Sequence, residues 1–327
     1  VQSVIDSGAV ARLVDLLKRE QAAALQLDAP CVLVGIAAGT EEQTSVVVDH
    51  GAVPMLFGLL QSPIAGVPEK ALWVLGNIAC DASSRDLVLQ GGIMELLLAL
   101  LSSTPPPDTA RRGAWTLANI WGARAGARVP MEHALLAMAA VSSLIANYNQ
   151  DEKILREACL ALEYLTIDGW ATAKAALAAP GLCSRLVVLL DHPSGAMHAG
   201  ALEAVLNLFT GDNNDAQVII FDLHVLPRLR PLLGSPDRSV RLDACQALGN
   251  ITGGTHAQIQ AVIDANIIPS LVHLMGAATA TVTTELDRAV RSKAAAAVSN
   301  AVAEGTRDQV VYLVRGARCV PPLCGVL

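Results

Sequence analysis

Aromatic residues are scarce in this 327-residue chain: three Phe, three Tyr and four Trp make up 3% of it. Charge is thin as well, at 16% Asp, Glu, Lys and Arg against 53% hydrophobic residues. That balance excludes a disordered chain, which needs low hydrophobicity and high net charge. Strands favour aromatic and β-branched residues, whereas Ala and Leu dominate here, so the composition favours helices. No apolar run reaches about 18 residues without a polar interruption, so no membrane span is expected. No signal-peptide pattern follows Val1, and a start at Val rather than Met is what a fragment would have. The net charge of −7 lacks the basic excess of a nucleic-acid binder and favours basic partners.

Reactive motifs are missing too. The cysteines (Cys31, Cys80, Cys159, Cys183, Cys245, Cys319, Cys324) form no CxxC and no Cys/His cluster. They are expected to be small buried hydrophobes in a reducing compartment. The seven His show no HExxH spacing, and GDNND (211–215) lacks the remaining ligands of a calcium loop. Asp168, Asp212 and Asp215 sit in Gly- or Asn-rich stretches, where such residues cap or turn. No enzyme, metal or cofactor is expected from these residues.

What is present is a repeat. A Gly or Asn, two apolar residues, often Pro, and a Leu-rich run recur as GAVARLVDLL from Gly8, GAVPMLFGLL from Gly51 and GIMELLLALL from Gly92. Later copies are GLCSRLVVLL from Gly181, HVLPRLRPLL from His224, NIIPSLVHLM from Asn266 and a worn RCVPPLCGVL from Arg318, with a Gly-less copy near His133. Between them lies a second motif: ALWVLGNI (71–78), GAWTLANI (113–120), ACLALEYL (158–165), ALEAVLNL (201–208), ACQALGNI (244–251) and AAAAVSNA (294–301). Its polar position falls on Gly35, Asn77, Asn119, Tyr164, Asn207, Asn250 and Asn300, in steps of 42, 42, 45, 43, 43 and 50 residues. A period near 42 fits the armadillo/HEAT class and excludes shorter helical repeats. The expected fold is an all-α, right-handed superhelical armadillo-repeat solenoid of about seven to eight three-helix repeats, forming a single domain over 1–327. The long last step is read as a Thr-rich loop insertion over 277–288, and Gly39, Gly253 and Gly254 as helix C-caps.

Trp73 and Asn77 are four residues apart and share one helix face; Trp115 and Asn119 repeat the pair one unit later. Packed helices lie about 8–10 Å apart, so one repeat step matches about three residues of an extended peptide at roughly 3.3 Å each. Two neighbouring indoles form a slot for the stem of a Lys or Arg, with cation–π attraction to its head. An Asn amide carries both donor and acceptor and can grip an extended backbone. The same residues could instead be purely structural, since Trp at helical spacing belongs to many cores and a row of Asn can bind neighbouring helices. Trp121 and Trp170 lie off the pattern and are expected to pack.

These residues resemble the importin-α family, adaptors for Lys/Arg-rich nuclear localisation signals. The resemblance spans nearly the whole chain and is strongest in VVVDHGAVPMLFGLL (46–60), ALWVLGNIACDASSRDLVLQGGI (71–93), TLANI (116–120), QIQAVIDANIIPSLVHL (258–274) and QVVYLV (309–314). It implies a major peptide site in which Gly39, Thr44 and Asp81 hold a key Lys, flanked by Trp73, Asn77, Trp115 and Asn119, with Glu157 and Tyr164 further on. It implies a minor site at Asn207, Asn250, Asn300 and Asp243. It also implies shuttling between cytoplasm and nucleus, with importin-β bound through a basic N-terminal segment. That segment is expected to lie outside this chain, because Val1 already stands in repeat-like sequence, and the family's last repeats are expected beyond Leu327.

The departures are specific. Cys31 and Gly35 stand where the first Trp/Asn pair should be, and Gln246 and Ala296 replace the minor-site Trp residues. Glu203 stands where the family has Arg, and Lys70 and Lys153 where relatives tend to have Gln and an acid. A weak minor site and a weakened major site follow, each lost Trp–cation contact being worth about 0.5–2 kcal/mol. The competing reading is a divergent armadillo scaffold that binds another protein and no signal peptide.

Overall fold

The structure, a computed structural model, describes residues 1–18, 23–122, 130–167, 170–192, 194–208, 221, 223–276 and 284–326. Among the described residues there are helices and turns and no strand. Residues divide into two compact units, Val1–Leu165 and Thr166–Leu327.

The first unit runs through α1 (Gln2–Asp6), α2 (Ala9–Leu17), α3 (Ala23–Ala37), α4 (Glu41–Asp49), α5 (Ala52–Leu59), α6 (Val67–Ile78), α7 (Ala82–Gln90), α8 (Ile93–Ser102) and α9 (Pro107–Gly122). It ends with α10 (Met131–Asn147) and α11 (Glu152–Ile167), the last two residues of α11 falling in the second unit. The helices come in threes, and every third one carries the second sequence motif. α3 packs on α6 and α6 on α9. The described part of the fourth set has two helices, α10 and α11; residues 123–129 before them lie outside the described residues.

The second unit contains α12 (Trp170–Ala178), α13 (Leu182–Leu189), α14 (Gly195–Leu208), α15 (Leu226–Leu232), α16 (Arg238–Thr252), α17 (His256–Asp264), α18 (Ile268–Met275), α19 (Glu285–Glu304), α20 (Arg307–Val311) and α21 (Val320–Cys324). Here α14 packs on α16 and α16 on α19. The chain is thus an all-α repeat solenoid, as the period required.

The first residue of the repeat has a backbone reason. Gly8, Gly51, Gly92 and Gly181 adopt φ of 71°, 75°, 86° and 73°, and His224, Asn266 and Arg318 adopt 54°, 54° and 53°. This left-handed residue reverses the chain between the first and second helices of each set, a conformation Gly adopts without steric penalty. The Leu-rich run that follows is core: Leu56, Ile93, Met94, Leu97 and Leu101 are fully buried, as are Leu72, Leu75, Ile78, Leu117 and Ile120 of the third helices. Each such side chain contributes about 1.5–3 kcal/mol of burial. Side chains also tie neighbouring third helices together. Thr116 Oγ1 donates to the Leu72 carbonyl at 3.0 Å, and Thr252 Oγ1 to Ala297 at 2.8 Å.

Several expectations need correcting. The Thr-rich stretch is not a loop to residue 288: Thr284 caps α19 in a reciprocal box with Asp287, while 277–283 lie outside the described residues. Gly253 is the C-cap of α16 as expected, at φ −81° and not in the left-handed region, whereas Gly39 and Gly254 lie one residue further on and also have no positive φ. Gly39 and Gly254 instead leave room for Gln43 and Gln258, whose amide oxygens would lie 2.0 and 1.8 Å from an added Cβ. Those glutamines complete capping boxes with Thr40 and Thr255. Cys159, Cys183, Cys245 and Cys319 are buried as expected, but Cys31, Cys80 and Cys324 are exposed. Trp121 is half-buried, and the side chain of Trp170, like Asp168, Asp212 and Asp215, lies outside the described residues. No single described helix is long and apolar enough to cross a membrane.

Asp287 gives the second unit a measurable acid limit. Arg238 Nε donates to its carboxylate at 2.7 Å, Arg241 lies at 3.7 Å, and Thr284 donates as well. The Arg238 and Thr284 hydrogen bonds hold its pKa down to about 2. The folded value lies below the unfolded one of about 3.9, so its contribution is complete above that pH and fades as pH falls toward 2. A carboxyl titration followed by NMR should place the Asp287 midpoint near 2, and Arg238→Ala should move it upward. An unmoved midpoint in that variant would break the assignment.

Candidate functional site

Along each third helix one stripe escapes burial. On α6 it is Lys70, Trp73 and Asn77, and on α9 it is Arg112, Trp115 and Asn119, each half-buried while neighbouring positions are core. The spacing i, i+3, i+7 puts the three residues on one helix face. On α11 the same positions hold Glu157, Leu160 and Tyr164, also half-buried; on α3 they hold Asp28, Cys31 and Gly35, all exposed. The repeat therefore sets three columns side by side: a charged column, an aromatic column and an amide column.

The aromatic column brings its two members together through a cation. The Arg112 guanidinium carbon lies 4.0 Å from the Trp73 ring centroid and 5.0 Å from that of Trp115. Lys70 Nζ lies 5.3 Å from the Trp73 centroid, and 3.8 Å from Glu69. Burial, then the like charge of Arg111, lowers the Arg112 pKa, while Glu69, Glu157 and Asp108 oppose the shift. Gly76 makes room for this arrangement, since a Cβ there would lie 2.4 Å from Cζ3 of Trp115.

The amide column is partly committed to the fold. Asn77 Nδ2 donates to the Val34 carbonyl at 3.2 Å and Asn119 Nδ2 to that of Gly76 at 3.1 Å. Each bond runs to the preceding third helix and uses one N–H. The amide oxygen and the second N–H take no part in these bonds, so the structural role does not exhaust the hydrogen-bonding capacity of either Asn.

The residues expected to hold a key Lys lie at the start of the following helices. Asp81 caps α7, accepting from Ser84 N at 3.0 Å and Ser83 Oγ at 2.6 Å. Those bonds lower its pKa. Both fall on Oδ2, which leaves Oδ1 to face a cation. Gly39 is exposed, whereas Thr44 is 4% exposed and donates its hydroxyl to the Ala37 carbonyl at 3.2 Å. Glu157 is bridged by Arg156 at 2.9 Å. Tyr164 lies against α9, its Cε2 2.8 Å from where a Gly122 Cβ would stand.

In the second unit the columns are thinner. Asn207 Nδ2 donates to Thr166 Oγ1 at 3.1 Å and Asn300 Nδ2 to the Gly249 carbonyl at 3.0 Å, while Asn250 is exposed. Gln246 and Ala296 are exposed in the aromatic column. Burial raises the Glu203 pKa, and a hydrogen bond with Asp243 works against it. Among the described residues no His, Cys, Asp or Glu side chains group as metal ligands. Arg112 is the site residue that sequence reading missed. Its signal was available: it stands three residues before Trp115, as Lys70 stands before Trp73.

Comparison with known proteins fits these columns into a family. The Armadillo/beta-catenin-like repeat model matches residues 40–80 and 212–253. A crystal structure of an engineered protein superposes on 99% of this chain and 85% of its own with a TM-score of 0.63 and 25% identity. Importin subunit alpha-1b of Oryza sativa subsp. japonica is 41% identical across 100% of this chain and 59% of its own length. Importin subunit alpha-1a of the same plant is 42% identical over 84% of this chain and 51% of itself. The chain thus spans between half and three-fifths of these two relatives. Importin subunit alpha-8 of Arabidopsis thaliana is 32% identical over 100% of this chain and 70% of its own. With its helical triplets, its Trp and Asn columns and full-length identity of this order, the chain belongs to the importin-α family.

Proposed function

We propose that this chain is the peptide-carrying region of a nuclear import adaptor, which holds Lys/Arg-rich nuclear localisation signals in extended form. The major site is the set of columns on the first unit. Trp73 and Trp115 take the stems of basic side chains, and Asn77 and Asn119 take the guest backbone. Asp81 and Glu157 supply negative charge, Gly39 and Thr44 border the key-Lys position, and Tyr164 closes the far end. The observation that carries this reading is the seat between the two rings, which already holds a guanidinium at 4.0 and 5.0 Å. A seat that accepts the chain's own guanidinium has the chemistry to accept the cation of a guest.

The second unit offers a degenerate minor site at Asn207, Asn250, Asn300 and Asp243, without indoles to hold a basic stem. The adaptor moves between cytoplasm and nucleus and engages importin-β through a basic segment other than these residues. It needs no cofactor, nucleic acid or membrane. The divergent-scaffold reading draws on Lys70 and Arg112, two cations of the chain's own at the position where cationic guests would sit.

Anisotropy titration of a fluorescent Lys-rich peptide tests the proposal. Saturable binding is expected, and it should weaken as salt rises from about 0.05 M to about 0.5 M, because the Debye length shrinks severalfold over that range. Affinity that is absent, or flat across the salt series, would overturn the electrostatic basis of the reading.

A further inference from the structure

The same slot holds a second message. The occupant of the slot is the chain's own: Arg112 reaches back from α9 and lies over both the ring of its own repeat and the ring of the repeat before it. Its Nε is buried and has no hydrogen-bond partner. Arg112 also escapes the salt bridges that hold Arg111, Arg156 and Arg85 to carboxylates. Stacking on the two indoles holds it there, helped only by longer-range attraction from Glu69, Glu157 and Asp108. An unpaired buried N–H is unfavourable, so swinging out into water would satisfy Nε while giving up the stacking. That balance makes the side chain displaceable, unlike a guanidinium locked by a bidentate carboxylate. Lys70 adds a second cation near Trp73, 5.3 Å from the ring centroid, so a basic guest meets two cations of the chain's own at that ring.

We propose that Arg112 is a specificity-determining residue that occupies the Trp73–Trp115 slot in cis and competes with the basic side chain of a guest. The inference rests on the adaptor reading and refines it. A peptide enters the slot only by expelling Arg112, so a guest lysine at that position gains little in the native chain. The remaining contacts, at Asp81 and the Asn column, then carry a larger share of the affinity. The discrimination that results favours guests whose basic residues fall at other positions of the register.

The test uses the full chain and two variants, Arg112→Gln and Arg112→Ala, whose folding is checked by circular dichroism. A fluorescein-labelled Lys-rich peptide is titrated into each, together with a panel in which every lysine is replaced singly by Ala. Opening the slot should tighten binding by roughly threefold to thirtyfold, the range expected of a recovered cation–π contact. The panel should also change shape. One lysine that is nearly neutral against the native chain should become sensitive in both variants, and Trp73→Ala added to either variant should erase the gain. Equal or weaker binding by the variants, with the same lysines mattering, overturns the role of Arg112 and leaves the adaptor reading in place. Failure of native chain and variants alike to bind any peptide of the panel overturns the adaptor reading, and this inference with it.

Discussion

Gly35→Ala and Gly76→Ala are expected to move stability in opposite directions, although both glycines lie within third helices one repeat apart. In a helix interior Ala is favoured over Gly by about 0.5–1 kcal/mol, because Gly loses more backbone entropy on folding. At Gly35 an added Cβ meets nothing within 4 Å, so that gain should appear in full. At Gly76 the same atom lies 2.4 Å from Cζ3 of Trp115 and 2.9 Å from Oγ1 of Thr116. Neither neighbour yields easily. The indole is rigid, and the Thr116 hydroxyl is held by the Leu72 carbonyl at 3.0 Å. Overpacking of this kind typically loses about 1–3 kcal/mol, which outweighs the propensity gain. Because α6 must back away from α9, the Asn119 bond to the Gly76 carbonyl should lengthen as well, and the surroundings of Trp115 should change with the shift. Urea unfolding followed by circular dichroism would compare the two variants, and tryptophan emission would report that change. A Gly76→Ala chain as stable as the native one would show that α6 and α9 do not approach this closely.

The helical triplets were legible in the sequence because backbone need and side-chain need coincide there. The left-handed residue before each second helix is Gly in most copies, and the Leu-rich run after it must be buried. Where the residue is His224 or Arg318, the following run still marks the repeat. What could not be read was which atoms fill the space between repeats. Arg112 lies within the span of the second motif's helix, but its reach to Trp73 depends on the distance between α6 and α9, which no periodicity encodes. Thr284 illustrates a different failure. Its Thr-rich surroundings suggested a loop, yet Thr284-x-x-Asp287 is itself a capping box, a start signal of the kind that also opens α4, α17 and α20. Composition outweighed spacing there, and spacing was the better guide. The exposed Cys31 is a third case. Burial was assigned by residue type, whereas its place in the aromatic column decides its exposure. The Asn residues resisted assignment for a physical reason, since one N–H of Asn77 or Asn119 binds a neighbouring helix while the rest of the amide takes no part in that bond.

Trp73→Ala should weaken binding of a Lys-rich peptide by no more than about threefold in the native chain, and by about thirtyfold in an Arg112→Gln chain. Trp truncations at the centre of an interface commonly lose about 2 kcal/mol or more, and a thirtyfold loss would correspond to that. The native value should fall short of it because Trp73 serves two cations. Removing the ring takes a wall from the guest's seat, but it also removes the surface on which Arg112 stacks at 4.0 Å. Loss of the competitor offsets part of the loss of the guest contact. With Arg112 already gone there is nothing to offset, and the full effect appears. Stability should change little by comparison, since Trp73 is half-buried on the open stripe while Leu72, Val74 and Leu75 beside it are fully buried. Asp81→Asn makes the contrasting variant: it removes charge without touching the slot, so it should flatten the salt dependence where Trp73→Ala leaves the slope intact. An Arg112→Gln chain whose affinity for the peptide is unchanged by adding Trp73→Ala, at every salt concentration, would mean that guests bypass this face. The solenoid would stand, but its stripe of indoles and amides would have only the structural role that the bonds between α3, α6 and α9 already give it.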